Sequence, residues 1–296
     1  MHGTTTSIRA TGRLSGIAAT EATVDPAWRP WVKLLDIALE AAEDVAWLDG
    51  VPEPAADRSL GAPLLHNVVL RVDARRARRL VRTLLRDVAS TDHDVHGRRR
   101  LDTLRLLRAS IEQDAGGIGR VAAQAGVDED ALAAVAQLAT IPLLHACARR
   151  LGSSVPETWM HGYCPVCGSW PTLLEVRGLE RNRRLRCGRC SSDWPIPVLR
   201  CPFCAEIDHH KLHALLPEGD EQTRRVDVCD TCHGYIKGFS TLRPMPFRSL
   251  AITDLATVEL DLVAQERGFS RPMRAAFPLS ITLVRGNAQR DTRPGS

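Results

Sequence analysis

The sequence predicts an α+β chain: an N-terminal helical bundle, two small four-cysteine metal domains, and a closing C-terminal helix. Three observations predict it. Apolar residues recur at helical spacing through the first half, eight of the nine cysteines crowd between 164 and 232 as four Cys-x-x-Cys pairs, and short β-like runs lie between those pairs. The predicted division is a flexible tail over 1–25, a helical domain over 26–158, metal domains over 159–199 and 200–243, and a helix with a tail over 244–296.

The first 25 residues are rich in Thr, Ser, Gly and Ala without periodicity, which reads as a mobile tail. Trp31, Leu34, Leu35, Ala38, Leu39 and Ala42 then line one face of a helix. Ala77, Leu80, Val81, Leu84, Leu85 and Val88 make a second, with Arg75, Arg76, Arg79, Arg82 and Arg86 mostly opposite. Leu101, Leu104, Leu107 and Ile111 make a third. Asp128 or Asp130 starts a fourth, which stops at Gly152 and in which Pro142 removes a donor and should kink the chain. Gly61-Ala62-Pro63, Gly97 and Gly116-Gly117 read as punctuation between helices. After Val155-Pro156 the β-like runs are 173–177, 184–186, 211–215 and 225–228. Leu255, Val258, Leu262 and Val263 mark a last helix ending at Gly268, and the stretch with Gly286, Pro294 and Gly295 reads as loose.

The cysteines carry the chemistry. Their pattern is Cys164-x2-Cys167-x19-Cys187-x2-Cys190, then Cys201-x2-Cys204-x24-Cys229-x2-Cys232. Two intervening residues let the chain curl so that both sulfurs face one ion, and a second pair from the next hairpin completes a tetrahedral S4 set. Each half supplies four sulfurs, so the count is two metals. Pairing within each half follows from each half having its own hairpin; interleaved pairing as a cross-brace is the alternative. Tetrahedral S4 suits iron and zinc alike. A closed S4 set has no open position for substrate, which argues against hydrolytic metal catalysis.

Composition narrows the function classes. The chain has 296 residues, 44% hydrophobic and 25% charged, an ordinary globular make-up. Aromatics are 4% and net charge is +4, too little of either to argue for single-strand stacking or an obligate nucleic-acid partner. No run approaches 18 consecutive apolar residues and the start lacks a secretory h-region, so the expectation is a cytoplasmic chain without a membrane partner. There is no Gly-x-Gly-x-x-Gly, Walker loop, nucleophile elbow or His-Glu-x-x-His, which disfavours a common enzyme class.

The flanks of the cysteines carry a resemblance. CPVCGSWP at 164–171, RLRCGRCSSDW at 184–194, CPFC at 201–204 and CDTCHGYIK at 229–237 resemble the formate dehydrogenase accessory protein FdhE family. Gly168, Ser169, Pro171, Trp194, Tyr235 and Lys237 share in it, as does DLATVELDLVAQERGFSR at 254–271, with Asp254, Leu260-Asp261 and Gly268. The resemblance is dense over 159–271 and only architectural before it. It implies a non-enzymatic, cytoplasmic accessory factor, chaperone-like in protein maturation. Such a factor associates with the catalytic subunit of a respiratory formate dehydrogenase before its export. It implies two rubredoxin-like domains, each able to hold iron. The ligands are then Cys164, Cys167, Cys187 and Cys190 in one site, and Cys201, Cys204, Cys229 and Cys232 in the other, with zinc the alternative metal. His233, where a Gly often stands, and the Trp-Pro-Ile-Pro run at 194–197, expected to interrupt pairing between the hairpins, depart from the pattern.

Other residues read more plainly. His209, His210 and His213 are expected to be solvent-exposed loop histidines, His161 a packing residue, and Cys147 a buried small hydrophobe. Over 71–108 there are twelve arginines, five aspartates and no glutamate. The solvated side of a helix is the first reading, a docking face for an acidic protein the second, and a phosphate footprint the third. The competing function classes are a zinc-ribbon nucleic-acid binder and a thiol oxidoreductase. The groove between bundle and metal domains is the expected docking site, and the oligomeric state, a homodimer included, stays open.

Overall fold

The computed structural model describes residues 5–8, 24–54, 59–88, 101–218 and 223–286. In chain order its elements are β1 (Thr5–Ile8), α1 (Arg29–Ala42), β2 (Val68–Val72), α2 (Ala74–Val88), α3 (Thr103–Ile111), α4 (Ala115–Ala125) and α5 (Glu129–Leu151), followed by β3 (Leu173–Arg177), β4 (Asn182–Arg186), β5 (Asp193–Pro195), β6 (Leu212–Pro217), β7 (Arg224–Cys229), β8 (Tyr235–Thr241), α6 (Phe247–Ala256), α7 (Val258–Glu266) and β9 (Ile281–Arg285). The fold is α+β, as its sequence predicts.

Aspartates start the bundle helices. The carboxylates of Asp102, Asp114 and Asp128 accept the backbone N–H groups of Arg105, Gly117 and Ala131 at the N-termini of α3, α4 and α5, satisfying donors that a helix start leaves orphaned. Asp73 does the same for Arg75 and Arg76 at the start of α2. The helix α4 corrects the reading of Gly116-Gly117 as punctuation. Both glycines lie inside that helix, and a Cβ on Gly117 would come within 2.9 Å of Ala109 Cβ, so close packing against α3 demands a glycine at 117. The helix ends at Gly126, whose φ of 63° is left-handed.

The bundle turns around α5. It starts at Asp128, continues through Pro142, and buries residues on every side. By length and composition α5 is apolar enough to cross a membrane, with a mean hydropathy of 1.7, but 61% of that window is buried. The arginines of α2 lie outward as expected, with Ala77, Leu80, Val81, Leu84 and Leu85 buried.

The sheet joins the two metal ribbons. Its seven described strands run β1-β6-β7-β8-β3-β4-β5. The antiparallel units β3-β4-β5 and β6-β7-β8 meet where β3 and β8 pair in parallel, Leu173 opposite Lys237. The proline-rich run 194–197 therefore does not lie at the junction, and Pro195 sits on the edge strand β5 opposite Arg184. Alternation along β3 and β8 sorts side chains between two cores. Leu174, Val176 and Ile236 join the large core shared with the bundle, while Leu173, Tyr235 and Phe239 join a second core with Leu250 and Leu260. The sheet is thus a layer between the bundle and the C-terminal helices.

Three expectations change. The closing helix is two helices, broken at Thr257. The stretch after it holds β9, which pairs in parallel with β2, so the helical region contains a strand and the C-terminal segment is tied back to it. Thr5–Ile8, expected within a mobile tail, pair with Ala214–Pro217 of β6. The rest of that tail up to residue 23, Gly97, Pro294 and Gly295 lie outside the described residues. Replacing Asp114 with Ala should lower stability by about 1 kcal/mol, the usual cost of an N-cap, read as an earlier urea midpoint.

Candidate metal centres

Each Cys-x-x-Cys pair is built by the same turn. The first cysteine's N–H donates to the carbonyl five residues on: Cys164 to Ser169, Cys187 to Ser192, Cys201 to Glu206 and Cys229 to Gly234, at 2.8–3.0 Å. In three of the four, the N–H four residues on donates back to that cysteine's carbonyl, from Gly168, Ser191 and Ala205. The residue after the second cysteine turns left-handed in all four, with φ of 69° at Gly168, 72° at Ser191, 63° at Ala205 and 54° at His233. His233 therefore adopts the backbone that a glycine would take, and its carbonyl accepts the N–H of Ser270 at 2.8 Å.

The turns bring the sulfurs together within each half. Cys164, Cys167, Cys187 and Cys190 form one group and Cys201, Cys204, Cys229 and Cys232 the other, with sulfurs within 4.8 Å of one another. Cys164–Cys190 and Cys167–Cys187 approach to 3.5 Å, and Cys201–Cys232 and Cys204–Cys229 to 3.7 Å. A disulfide needs about 2.05 Å. A tetrahedron with metal–sulfur bonds of about 2.3 Å has edges of about 3.8 Å. The donor sets therefore fit an S4 ion, and the grouping is the consecutive one. Either set could hold a metal ion; sulfur geometry does not choose between iron and zinc.

The first cluster is wholly buried. Hydroxyls stand beside two of its sulfurs, Ser169 at 3.3 Å from Cys167 and Ser192 at 3.1 Å from Cys190. Arg189 donates to Ser169 Oγ at 3.0 Å and to the Ser110 carbonyl at 2.7 Å, placing a cation between the cluster and the C-terminal end of α3. Burial pushes the Cys164 and Cys190 thiols up, while hydrogen bonds from neighbouring cysteines hold Cys167 down. The second cluster is half open: Cys201 and Cys229 are buried, Cys204 and Cys232 exposed. Burial pushes the Cys232 thiol up to about 12. Glu206, which accepts from the Thr231 hydroxyl at 2.6 Å and from the Asp208 N–H, is held down at about 2 and ties the third turn to the fourth.

The other singled-out residues fall into place with one correction: His213, expected in an exposed loop, lies half-buried on β6, where the strand's pairing with β7 holds it beside Asp230. His161 stacks on Tyr163 with ring centroids 4.9 Å apart, a packing role. His213 pairs with Asp230 at 2.6 Å. His209 and His210 stack on each other, and with Asp208 they bring donor atoms within 4.8 Å of one another. Cys147 is buried in the bundle, where burial raises its thiol.

Residues 199–277 match the family described as FdhE, C-terminal domain. That stretch of the chain is similar to the domain so described. Curated relatives agree: it is 33% identical over 121 residues to "Protein FdhE homolog" of Aquifex aeolicus, covering 40% of this chain and 42% of that protein. It is 29% identical over 111 residues to "Protein FdhE" of Escherichia coli O127:H6, covering 37% and 35%. The matched region thus spans about two fifths of the length of these relatives. It is also similar to the crystal structure of the FdhE protein from Pseudomonas aeruginosa, with 22% identity, a TM-score of 0.47 and coverage of 86% of this chain and 97% of that one.

Tyr235, Lys237, Asp254 and Asp261, which carry part of the FdhE resemblance outside the cysteines, converge on one clasp centred on a buried lysine. Lys237, on the face of β8 that looks toward α6 and α7, is fully buried. Its ammonium lies 2.7 Å from Asp261 and 2.9 Å from Asp254, and donates to the Asp254 and Thr257 carbonyls at the helix break. Tyr235 donates to Asp261, and Arg271 bridges both aspartates at 2.8 Å. Burial opposes the Arg271 cation, and Asp254 and Asp261 more than offset it; burial and Asp261 push Tyr235 up to about 12. A sister network on β3 holds buried Glu175 between Arg186, Arg177 and the Met245 N–H.

Three outcomes are expected. Lys237→Met should cost about 3–5 kcal/mol, because it leaves two aspartates without their central cation, and should expose the α6–α7 segment to limited proteolysis. Ala205→Gly should raise stability by about 1 kcal/mol by relieving a left-handed residue. Gly168→Ala should lower it, since the new Cβ meets Pro63 and Phe277 at 3.1–3.2 Å; both shifts can be read from thermal midpoints.

Proposed function

We propose that this protein is a non-enzymatic, cytoplasmic accessory factor that binds the catalytic subunit of a respiratory formate dehydrogenase before export. The observation that carries this reading is the joint geometry of two S4 clusters and the Tyr235–Lys237–Asp254–Asp261 clasp, the residues on which the FdhE resemblance rests. Cys164, Cys167, Cys187 and Cys190 would hold one ion, and Cys201, Cys204, Cys229 and Cys232 the other. Iron is the metal the resemblance favours and zinc the alternative. When bound, each ion supplies positive charge that lets buried thiolates exist and cross-links two hairpins. The chain's own residues do the rest: they rigidify the loops and present a surface. A groove of about 670 Å³ between α5 and the second turn, lined by His145, Arg149, Ser192, Asp193 and Trp194, is the docking site this reading favours.

A nucleic-acid-binding reading is favoured by one observation. Arg75, Arg78, Arg79 and Arg82 are exposed along α2, and among the described residues none has an ion-pair partner. The two readings separate in one series. Co-expressed with the formate dehydrogenase catalytic subunit, the tagged chain should retain that subunit through size exclusion, and removing the chain should abolish formate oxidation. No co-elution and unchanged formate oxidation would overturn the proposal. A binding constant for duplex DNA or RNA that falls steeply with salt would favour the second reading.

A further inference from the structure

We infer that the two clusters divide their labour: the first is a permanent fastener, and the second is an exchange site that takes up and releases its ion while the protein stays folded. This rests on the reading above that both clusters hold metal.

The first cluster presents no cysteine surface to solvent, although Cys190 borders the groove between α5 and the second turn. Its four cysteines are each 0% exposed and belong to the core shared with the bundle. The turn that starts it is stitched to the N-terminal half, where Leu64 and Leu65 donate to the Pro165 and Val166 carbonyls at 2.7 and 3.0 Å. Gly168 leaves no room beside Pro63 and Phe277. Arg189 ties the other turn to the end of α3. An ion there can leave only as the packing between bundle and ribbon loosens around those contacts.

The second cluster is different in each respect. Its cysteines belong to none of the hydrophobic cores. Cys201 and Cys229 form a buried edge, and Cys204 and Cys232 an edge that faces solvent. The residues beside that edge, Ala205, Thr231 and His233, are themselves exposed. Where the first cluster has the Ser169 and Ser192 hydroxyls, the equivalent positions here are Glu206 and Gly234, so no side-chain hydroxyl stands two residues past either second cysteine. A competing thiolate can reach the ion along the Cys204–Cys232 edge without any element moving. In each exchange step one bond from the ion to the competitor forms as one bond to Cys204 or Cys232 breaks. The oxidation state is unchanged, and the freed thiolate takes a proton from water. The donor chemistry that suits this edge is a thiolate, whether from a small thiol or from a cysteine on a partner's surface.

The test uses the full chain loaded with zinc, which has no redox chemistry to confuse the readout. Zinc per chain is counted first, and release to a colorimetric chelator is then followed with and without a competing thiol. Two ions are expected, one leaving at least about tenfold faster than the other, since the slow one waits on local unfolding. Iodoacetamide labelling with peptide mapping should modify Cys204 and Cys232 before any first-cluster cysteine. The double variant Cys204→Ser, Cys232→Ser should keep one ion and show only the slow phase. A single rate for both ions, equal labelling of Cys164 and Cys204, or a fast phase that survives the double variant would each overturn the division of labour. A folded chain that takes up no zinc or iron overturns the metal reading beneath it, a separate result.

Discussion

Four thiols gathered inside a hydrophobic core set the terms for the rest of this molecule. Burial disfavours thiolates, and four sulfurs at tetrahedral spacing have little else to pair with but one another. The surrounding structure answers that constraint in detail. Two hydroxyls and the Arg189 guanidinium stand where negative charge would collect, and the backbone turns are fixed by hydrogen bonds that repeat from turn to turn. Because the sulfurs lie in the same core as α2, α3 and α5, the cluster and the bundle share one packing problem. The ribbon is less an appendage than a wall of the N-terminal domain.

The second ribbon solves a different problem. Its strands present one face to a small core, and what fixes α6 and α7 there is in large part charge. Lys237 enters from the sheet, Asp254 and Asp261 from the two helices, and Arg271 from the segment beyond. A buried ion network of this kind contributes less to net stability than its Coulomb energy suggests, but it tolerates few alternative arrangements. It fixes where the helix break at Thr257 falls, since the Lys237 ammonium occupies the carbonyls that the break sets free.

Much of this was legible because it is local. Cys-x-x-Cys spacing specifies a turn within six residues, so the four pairs, and their grouping by hairpin, could be read directly. Asp128 announced α5, and the apolar periodicity announced α1, α2 and α3. What was not legible depended on distant partners. The Gly116-Gly117 pair looks like a break until Ala109 is placed against it. Val68–Val72 is a short apolar run whose strand partner lies near the other end of the described chain. Tyr235 and Lys237 stand out in the sequence only through a resemblance, because nothing in a strand sequence says that a lysine will be buried among carboxylates supplied by two helices. The half-open state of the second cluster was equally hidden: both clusters have the same spacing logic, and only packing distinguishes them.

The parallel pairing of β2 with β9 has a consequence for how the chain comes off the ribosome. Val72 and Arg285 are opposite one another, yet roughly 210 residues separate them. At about 5–20 residues per second, the N-terminal half waits roughly ten to forty seconds for the strand that completes it. Through that interval the edge of β2 stands unpaired in the nascent polypeptide. The bundle therefore receives its last strand only when synthesis is almost over, and any truncation before Ile281 removes the strand that pairs with β2.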